Sequence, residues 1–490
     1  MTEPGTPEEE LAHHRRHLGR GFNWLGGATI IAKIIDFATI LAVLLFLTKA
    51  QLGIGSLVIA FGMVIEAFDG LGTSDALVQA PEISRDQLDS LFWFILAAAM
   101  LMAGLTLLAA PLVQLLYGQP GMAVFFLTVA IKQPLVAAAV IPLALLNRAL
   151  RYEAIAGINV GATFGAALTR LIVALAGGGA WAITGGYLAS GVFILAGALL
   201  ASPFRPRLRF QFAEIVPLLH FGLRSASANI FEQIFKNIDY MLVGWFYGAA
   251  PLAIYRVAFD VAMEPAMAIG TIINRTALPV FARAAKMPGH LADALLWSLR
   301  RLAVLNAPLM VGLILMAKPL MTLLHDSQGH SYAAAALPLQ ILALAAILRI
   351  TSQLITPVLV GSGQPGKAAW LSAATLGLLS IGILAVGLHF PARTGIAAVA
   401  CIWLAAYPPL LAWGAFYLWR HWKIRPATLL RPFLAPGLGI AGLVLLDLAV
   451  NKLAGPLGPV AQIVTALAAT LLVYAGLYWH NRRASPPVAA

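Results

Sequence analysis

Fourteen apolar segments, each close to 20 residues long, occupy nearly the whole of this 490-residue chain. An α-helix rises about 1.5 Å per residue, so a segment of about 20 residues crosses the roughly 30 Å hydrocarbon core of a bilayer. Hydrophobic side chains make up 60% of the residues and charged ones 11%, whereas soluble domains are about 45–50% apolar. The sequence therefore predicts an all-α, polytopic membrane protein with about 14 transmembrane helices. The predicted spans are residues 24–48, 55–79, 91–113, 121–146, 155–177, 181–201, 215–246, 252–282, 296–323, 333–361, 368–388, 395–419, 433–451 and 458–480.

The basic residues indicate how these spans are oriented. The 32 Lys and Arg exceed the 20 Asp and Glu by 12, but the charges are too few to form a nucleic-acid-binding face. With 14 spans, both termini lie on one side, where twenty basic residues fall. Only Lys49, Lys318, Arg393 and Lys452 fall on the opposite side. The positive-inside rule then predicts that the N-terminus and the C-terminus are cytoplasmic. The charged N-terminal segment has no apolar core and is not predicted to be a cleaved signal peptide.

A weak internal repeat indicates two six-helix lobes. The segment Lys33–Phe37 in the first span recurs as Lys236–Tyr240 in the seventh, 203 residues later. Because six helices separate the copies, both have the same orientation in the membrane, as in transporters with two parallel halves. The predicted organisation is a cytoplasmic tail at 1–23, an N-lobe at 24–201, a basic linker at 202–214, a C-lobe at 215–419, a basic loop at 420–432, a peripheral last helix pair at 433–480 and a cytoplasmic tail at 481–490.

Charged residues inside the spans are the candidate functional residues. Each costs about 2.5–3.5 kcal/mol to insert, so we expect them to face the protein interior or a water-filled cavity. Lys132 and Arg170 have no acid within one helical turn and are predicted to be unpaired, whereas Arg256 has Asp260 four residues later. The candidate substrate-binding cations are Lys132, Arg170, Arg224, Arg275, Arg349, Lys33 and Lys236, and the candidate coupling or ion-pair acids are Asp36, Glu66, Asp69 and Asp239.

Two interpretations of these charges stay open. In both copies of the repeat, Lys and Asp lie three residues apart on one helical face and can neutralise one another. Such pairs either fix the positions of helices or line a central cavity near the substrate or a coupling cation. Glu66 and Asp69 also lie three apart, and like charges this close raise one pKa, which indicates proton handling.

Several motifs resemble Wzx-type polysaccharide flippases of the multidrug/oligosaccharidyl-lipid/polysaccharide (MOP) superfamily. They are Phe221–Arg224, Asn237–Gly244, Gly248, Tyr255, Ala67–Gly72, Ala76–Gln79, Phe92–Trp93 and Leu145–Leu150. The resemblance implies a flippase of the bacterial cytoplasmic membrane that moves undecaprenyl-diphosphate-linked oligosaccharide to the outer leaflet by alternating access. It implies membrane lipids, a polysaccharide polymerase with export machinery, and coupling H⁺ or Na⁺ as partners, and no cofactor. Arginine suits the diphosphate because its guanidinium donates bidentate hydrogen bonds to phosphate.

Other readings are weaker on the sequence. A multidrug cation antiporter of the same superfamily and a peptidoglycan-precursor flippase remain alternatives. A glycan-assembling enzyme would need a large outer loop, but the longest, Leu324–Tyr332, holds only His325, Asp326 and His330, and no metal site is predicted there. Cys401, the single cysteine, excludes a disulfide framework. The basic stretches Phe204–Phe210 and Trp419–Arg425 are interpreted as topology signals and membrane anchors.

Overall fold

A computed structural model describes residues 7–70, 72–80, 83–284, 290–453 and 458–482. Its secondary structure in these ranges is helical, apart from an isolated antiparallel bridge between His325 and Ser331. The first eight helices are α1 (Pro7–Leu44), α2 (Lys49–Asp69), α3 (Thr73–Gln79), α4 (Arg85–Tyr117), α5 (Phe126–Arg148), α6 (Tyr152–Leu175), α7 (Ala180–Ala201) and α8 (Phe212–Tyr247). The rest are α9 (Ala249–Ala284), α10 (His290–Leu323), α11 (Ala336–Gln353), α12 (Ile355–Gly361), α13 (Pro365–His389), α14 (Ala392–Trp422), α15 (Pro426–Leu430), α16 (Leu434–Leu453) and α17 (Pro459–Arg482).

Twelve helical segments of the described chain are long and apolar enough to cross a membrane. The prediction of an all-helical, multi-pass protein is therefore confirmed. The seventh and eighth predicted spans correspond to α8 and α9, which are helical over 36 residues each but are not among the twelve. Both carry several charged residues, which lower the mean hydropathy of any stretch of these helices that is long enough to span a membrane. The total of fourteen spans stays a prediction.

Contacts along the chain define two compact units, residues 1–253 and 254–490. In the first unit, α6 packs against α1 and α7, α5 against α4 and α7, and α8 against α2, α3 and α4. One apolar core of this unit is formed by side chains from α4, α5 and the segment before α8, such as Leu91, Ile95, Ile141 and Phe204. In the second unit, α11 packs against α10 and α14, and α13 packs against α14.

The segment between α7 and α8, predicted as a linker at 202–214, is held against the start of α4. The carboxylate of Asp89, which is fully buried, accepts a hydrogen bond from the Arg207 amide at 3.1 Å. The indole of Trp93 donates to the Arg207 carbonyl at 2.8 Å, and the hydroxyl of Ser90 accepts from the Gln211 amide at 3.0 Å. These bonds fix the segment within the first unit.

The last long helices, α16 and α17, dock on α10. Small residues allow the close approach: Gly312 of α10 faces Thr470 of α17, and Val311, Leu443 and Ala469 form an apolar cluster beside them. Close packing at small residues is a main source of helix association in membranes, where apolar side chains gain little by leaving lipid. The predicted last pair is thus a packed part of the second unit.

We expect Gly312→Val to destabilise this docking. A Cβ at position 312 would overlap the hydroxyl of Thr470 and lie 3.2 Å from its Cγ2, and Thr470 is buried. Overpacking of this kind typically costs about 1–3 kcal/mol, so the melting temperature of the purified protein should fall. Gly442→Val is the matched control, because a Cβ there meets no atom within 4 Å. An equal melting temperature for the two variants would contradict the docking.

Candidate functional site

A partly open cavity of about 370 Å³, lined by both polar and apolar side chains, lies between α1, α6 and α7 in the first unit. Its polar lining consists of Thr29, Lys33 and Asp36 from α1, Asn159, Thr163 and Arg170 from α6, and Ser190 from α7. Alanines such as Ala28 and Ala162 form much of the remaining wall. The cavity thus combines two cations, one acid, and hydroxyl and amide groups within otherwise apolar helices.

Arg170 and Asp36 form an ion pair across this cavity. A guanidinium N–H of Arg170 donates to Asp36 Oδ1. The Arg170 side chain is 14% exposed and that of Asp36 is 37% exposed. A Cβ at Gly186 of α7 would overlap Arg170 Cγ, so the absence of a side chain at 186 makes room for the arginine stem. Lys33, from the same turn of α1 as Asp36, lines the same cavity.

A second charged cluster joins α2, α5 and α7. Lys132 Nζ lies 2.7 Å from a carboxylate oxygen of Glu66 and 3.4 Å from the centre of the Tyr187 ring. The Tyr187 hydroxyl donates to the same carboxylate. A Cβ at Gly191 would lie 2.7 Å from Lys132 Cγ, so the lysine stem packs directly against the α7 backbone. Lys132 is only 5% exposed, and it does not line the cavity described above.

The prediction that Lys132 and Arg170 are unpaired is wrong. Their partners, Glu66 and Asp36, come from α2 and α1, far away in sequence. A search limited to one helical turn finds only partners three or four residues away, whereas packed helices bring distant residues together. That Lys132 and Arg170 contact substrate stays a prediction.

The other predicted residues lie elsewhere. Lys236 pairs with Glu232 at 2.6 Å on one face of α8, where both are exposed, while Asp239 is buried. Arg256 and Asp260 pair at 3.2 Å on α9. Arg349 is buried in the second unit, where its guanidinium lies 4.9 Å above the Trp403 ring. The side chains of Asp69, Arg224 and Arg275 lie outside the described residues.

Sequence reasoning missed several residues of the two clusters. Asn159 and Thr163 precede Arg170 on α6 by eleven and seven residues, which places all three on one helical face. That spacing was a usable signal for the cavity wall. Tyr187 has no such signal, because its role depends on a lysine from another helix.

In the loop between α10 and α11, hydrogen bonds to Asp326 hold the backbone. The nearly buried carboxylate of Asp326 accepts hydrogen bonds from the amides of Gln328 at 3.0 Å and His330 at 2.8 Å. Burial, together with the negative charge of Asp326, raises the pKa of Tyr332 above its ordinary value. No group of three or more His, Cys, Asp or Glu side chains is close enough to hold a metal ion in the described ranges.

Comparison with known proteins gives related sequences. Residues 40–334 match the family described as polysaccharide biosynthesis protein. The teichuronic acid biosynthesis protein TuaB of Bacillus subtilis (strain 168) is 24% identical over 327 residues, which cover 64% of this chain and 65% of TuaB. The succinoglycan biosynthesis transport protein ExoT of Rhizobium meliloti (strain 1021) is 25% identical over 71% of each chain. The lipopolysaccharide biosynthesis protein WzxC of Escherichia coli (strain K12) is 22% identical over 70% of each.

Solved structures show the fold. The lipid II flippase MurJ, in an inward closed conformation, matches with a TM-score of 0.71 at 14% identity, over 93% of this chain and 99% of that chain. An inward-facing multidrug resistance MATE family transporter of the MOP superfamily matches with a TM-score of 0.58 at 15% identity, over 80% of this chain and 94% of that chain. At these identities the likeness concerns the fold alone.

Proposed function

The chain belongs to the polysaccharide biosynthesis protein family, and from that premise we propose that it is a flippase for undecaprenyl-diphosphate-linked oligosaccharide repeat units. The resemblance to Wzx-type flippases of the MOP superfamily is confirmed by the family match and by relatives such as WzxC and ExoT. In this proposal the protein moves each unit across the bacterial cytoplasmic membrane by alternating access and supplies a polysaccharide polymerase and export machinery on the other side.

The cavity beside Arg170, with its charged and hydrogen-bonding side chains, is the observation that carries the proposal. A diphosphate bearing a glycan cannot cross about 30 Å of hydrocarbon unaided, because each buried charge or unpaired hydroxyl is costly. Arg170 and Lys33 offer the cations that a diphosphate requires, and Asn159, Thr163 and Ser190 offer hydrogen bonds suited to a sugar. A volume of about 370 Å³ is near the lower end for small-molecule sites, so it suits the diphosphate and the adjoining sugar and not a whole repeat unit.

Asp36 provides the counter-charge to Arg170 within the cavity. Its carboxylate holds the Arg170 guanidinium, and an incoming diphosphate offers more acceptor oxygens at the same position. In the proposed cycle, substrate displaces Asp36 from the guanidinium, and the released carboxylate is free to bind H⁺ or Na⁺. Coupling to a cation gradient follows from this exchange, which makes Asp36 the first acid to test.

The proposed topology has fourteen spans and two cytoplasmic termini. Adding α8 and α9 to the twelve apolar segments gives an even number of crossings and leaves twenty of the Lys and Arg residues on the cytoplasmic side. Both helices carry charges because, in this proposal, they face protein or water and not lipid.

The MurJ-like fold favours a second candidate, a flippase for a peptidoglycan lipid precursor. The family match and the relatives from teichuronic acid, succinoglycan and lipopolysaccharide biosynthesis favour the first candidate. Both candidates use the same diphosphate site, so a cellular experiment must separate them.

Deletion of the gene tests the proposed function. We expect exported polysaccharide to be lost and undecaprenyl-linked repeat units to accumulate in the membrane, because synthesis at the cytoplasmic face continues while transfer stops. Lipid-linked sugars and exported polymer are measured, with re-expression of the wild-type chain as the control. Normal polymer with drug hypersensitivity would contradict the proposal in favour of an antiporter, and a cell-wall defect with normal polymer would favour the second candidate.

A further inference from the structure

Four aromatic rings form a column where α13 begins beside the end of α14. The ring centres of Trp370 and Trp413 are 5.3 Å apart. Those of Trp413 and Tyr417 are also 5.3 Å apart, and these two rings are nearly parallel, with an angle of 13°. The imidazole of His421 follows at 4.0 Å from the Tyr417 ring. We call Trp370, Trp413, Tyr417 and His421 the ring column.

Lys367 lies against this column. Its Nζ donates a hydrogen bond to the Tyr417 hydroxyl at 2.8 Å and lies 4.3 Å from the centre of that ring. The Tyr417 hydroxyl in turn donates to Gln364. The ammonium group has three N–H donors, and this arrangement uses one of them on an exposed side chain. Lys367 is therefore a positioned cation with donors to spare.

The sequence around the column supplies no counter-charge. Residues 327–446 contain no Asp or Glu but contain seven basic residues. These are Arg349, Lys367, Arg393, Arg420, Lys423, Arg425 and Arg431. In the part of the chain that the structure describes, no ion pair involves Lys367, Arg420 or Lys423. Among the described residues, the positive charge at this end of α14 therefore has no acid paired with it.

The other basic stretch, Phe204–Phe210, differs in this respect. Arg209 pairs with Asp86 at 2.6 Å, and the guanidinium of Arg205 donates to the carbonyls of Leu199, Ser202 and Phe204. Arg205 and Arg209 thus have partners within their own unit. Among the described residues, no acid pairs with Lys367, Arg420 or Lys423, so the end of α14 has cations for an external anion.

Exposed aromatic side chains lie within four residues of Lys367 or Arg420 in the sequence. Trp370 is 55% exposed, Phe416 56% and Trp419 48%. They lie near the ends of two helices that are long and apolar enough to span a membrane. Tryptophan at the ends of spans typically lies at the level of the lipid headgroups. The surface thus combines rings suited to the membrane interface with basic groups suited to phosphate.

We propose that Lys367, which the ring column positions, and Arg420 bind the phosphate-bearing headgroup of an anionic phospholipid in the cytoplasmic leaflet. Lys367 and Arg420 neutralise the phosphate, while Trp370, Phe416 and Trp419 contact the glycerol and upper acyl region. A lipid is the occupant because the cations adjoin exposed aromatic side chains at the membrane interface. The leaflet rests on the proposed topology. The site itself rests on neither the proposed substrate nor the cavity beside Arg170.

Native mass spectrometry of the full-length purified protein tests this site. Phosphatidylglycerol or phosphatidylcholine is added to the wild type, to Lys367→Gln and to Lys367→Arg. We expect Lys367→Gln to lower phosphatidylglycerol binding by about fivefold, since each basic residue near the surface contributes modestly to anionic-lipid attraction. Lys367→Arg should retain binding, and phosphatidylcholine binding should be unchanged. The matched control is Arg209→Gln, which removes one charge that already pairs with Asp86 and should leave lipid binding unchanged.

Three outcomes would overturn the inference. Equal losses in Lys367→Gln and Arg209→Gln would show attraction by net charge without a site. Undiminished phosphatidylglycerol binding in Lys367→Gln, with a melting temperature like that of the wild type, would remove Lys367 from the site. Displacement of the lipid by an equal concentration of glycerol 3-phosphate would show a site for soluble phosphate. Polysaccharide export by each variant is measured separately in the deletion strain, so failure of the lipid site is distinguishable from failure of the proposed function.

Discussion

Replacing Arg170 with alanine is expected to abolish polysaccharide export while the protein still inserts into the membrane. The guanidinium lies in the cavity between α1, α6 and α7 and is held by Asp36. A hydrogen bond to a charged group contributes about 1.5–3 kcal/mol, so loss of a bidentate contact with a diphosphate of about 3 kcal/mol lowers affinity about a hundredfold. Export is measured in the deletion strain, and the amount of folded protein by fluorescence-detected chromatography.

Charge exchange separates a substrate role of this arginine from a structural one. If Arg170 and Asp36 only hold α1 and α6 together, the double variant Asp36→Arg/Arg170→Asp restores the pair and restores export. If the guanidinium binds diphosphate at that position, the exchanged pair presents a carboxylate from α6 and export stays absent. Arg170→Lys should give intermediate export, because lysine keeps the positive charge but lacks the planar guanidinium that donates two parallel hydrogen bonds.

Full export by a folded Arg170→Ala variant would remove the arginine from the proposed site. Export restored by charge exchange would leave it a structural role only. Arg256→Ala is the matched control, because Arg256 is also an arginine paired with an aspartate inside a predicted span, but on the single helix α9. Export by that variant should remain near the wild-type level.

The helical architecture was predictable because it depends on local composition. An apolar segment of about 20 residues in a bilayer must satisfy its backbone hydrogen bonds internally, so its helical state follows from its sequence. The same reasoning becomes weaker at α8, where Glu232, Lys236 and Asp239 interrupt the apolar pattern. Composition alone cannot decide whether such a helix crosses lipid, because its surroundings set the cost of its charges.

The partners of the charged residues were not predictable, since they depend on tertiary packing. Arg170 and Asp36 lie 134 residues apart in sequence. Asp89 accepts a hydrogen bond from the backbone amide of Arg207, which lies 118 residues away in sequence. A helical-wheel argument finds only neighbours within one turn. Gly186 and Gly191 were usable signals for these contacts, because glycine in an apolar helix indicates that another group packs closely against it. The groups that approach are the stems of Arg170 and Lys132.

The second large effect is expected at Lys132, and it concerns stability more than transport. The sequence predicted Lys132, like Arg170, to be a substrate-binding cation. In the structure the lysine is buried against Glu66 and Tyr187. Removing one partner of a fully buried ion pair costs about 3–5 kcal/mol, and because Glu66 is 23% exposed we expect a smaller but still large cost here. Lys132→Met, which keeps most of the stem volume, should therefore lower the melting temperature markedly. Glu66→Gln should also lower it, because it leaves the ammonium without its carboxylate.

The double variant Lys132→Met/Glu66→Gln should recover most of the lost stability, because neither charge then remains and the glutamine carbonyl still accepts from the Tyr187 hydroxyl. A double-mutant cycle on melting temperature measures this coupling. If the cluster is structural, the double variant also exports polysaccharide, whereas no compensating change of that kind rescues Arg170→Ala. Additive losses of stability would show that Lys132 and Glu66 are not coupled. A stable double variant without export would instead show that Lys132 acts in transport. Comparing this double variant with the Arg170 variants therefore decides whether Arg170, Lys132 or both contact the transported lipid.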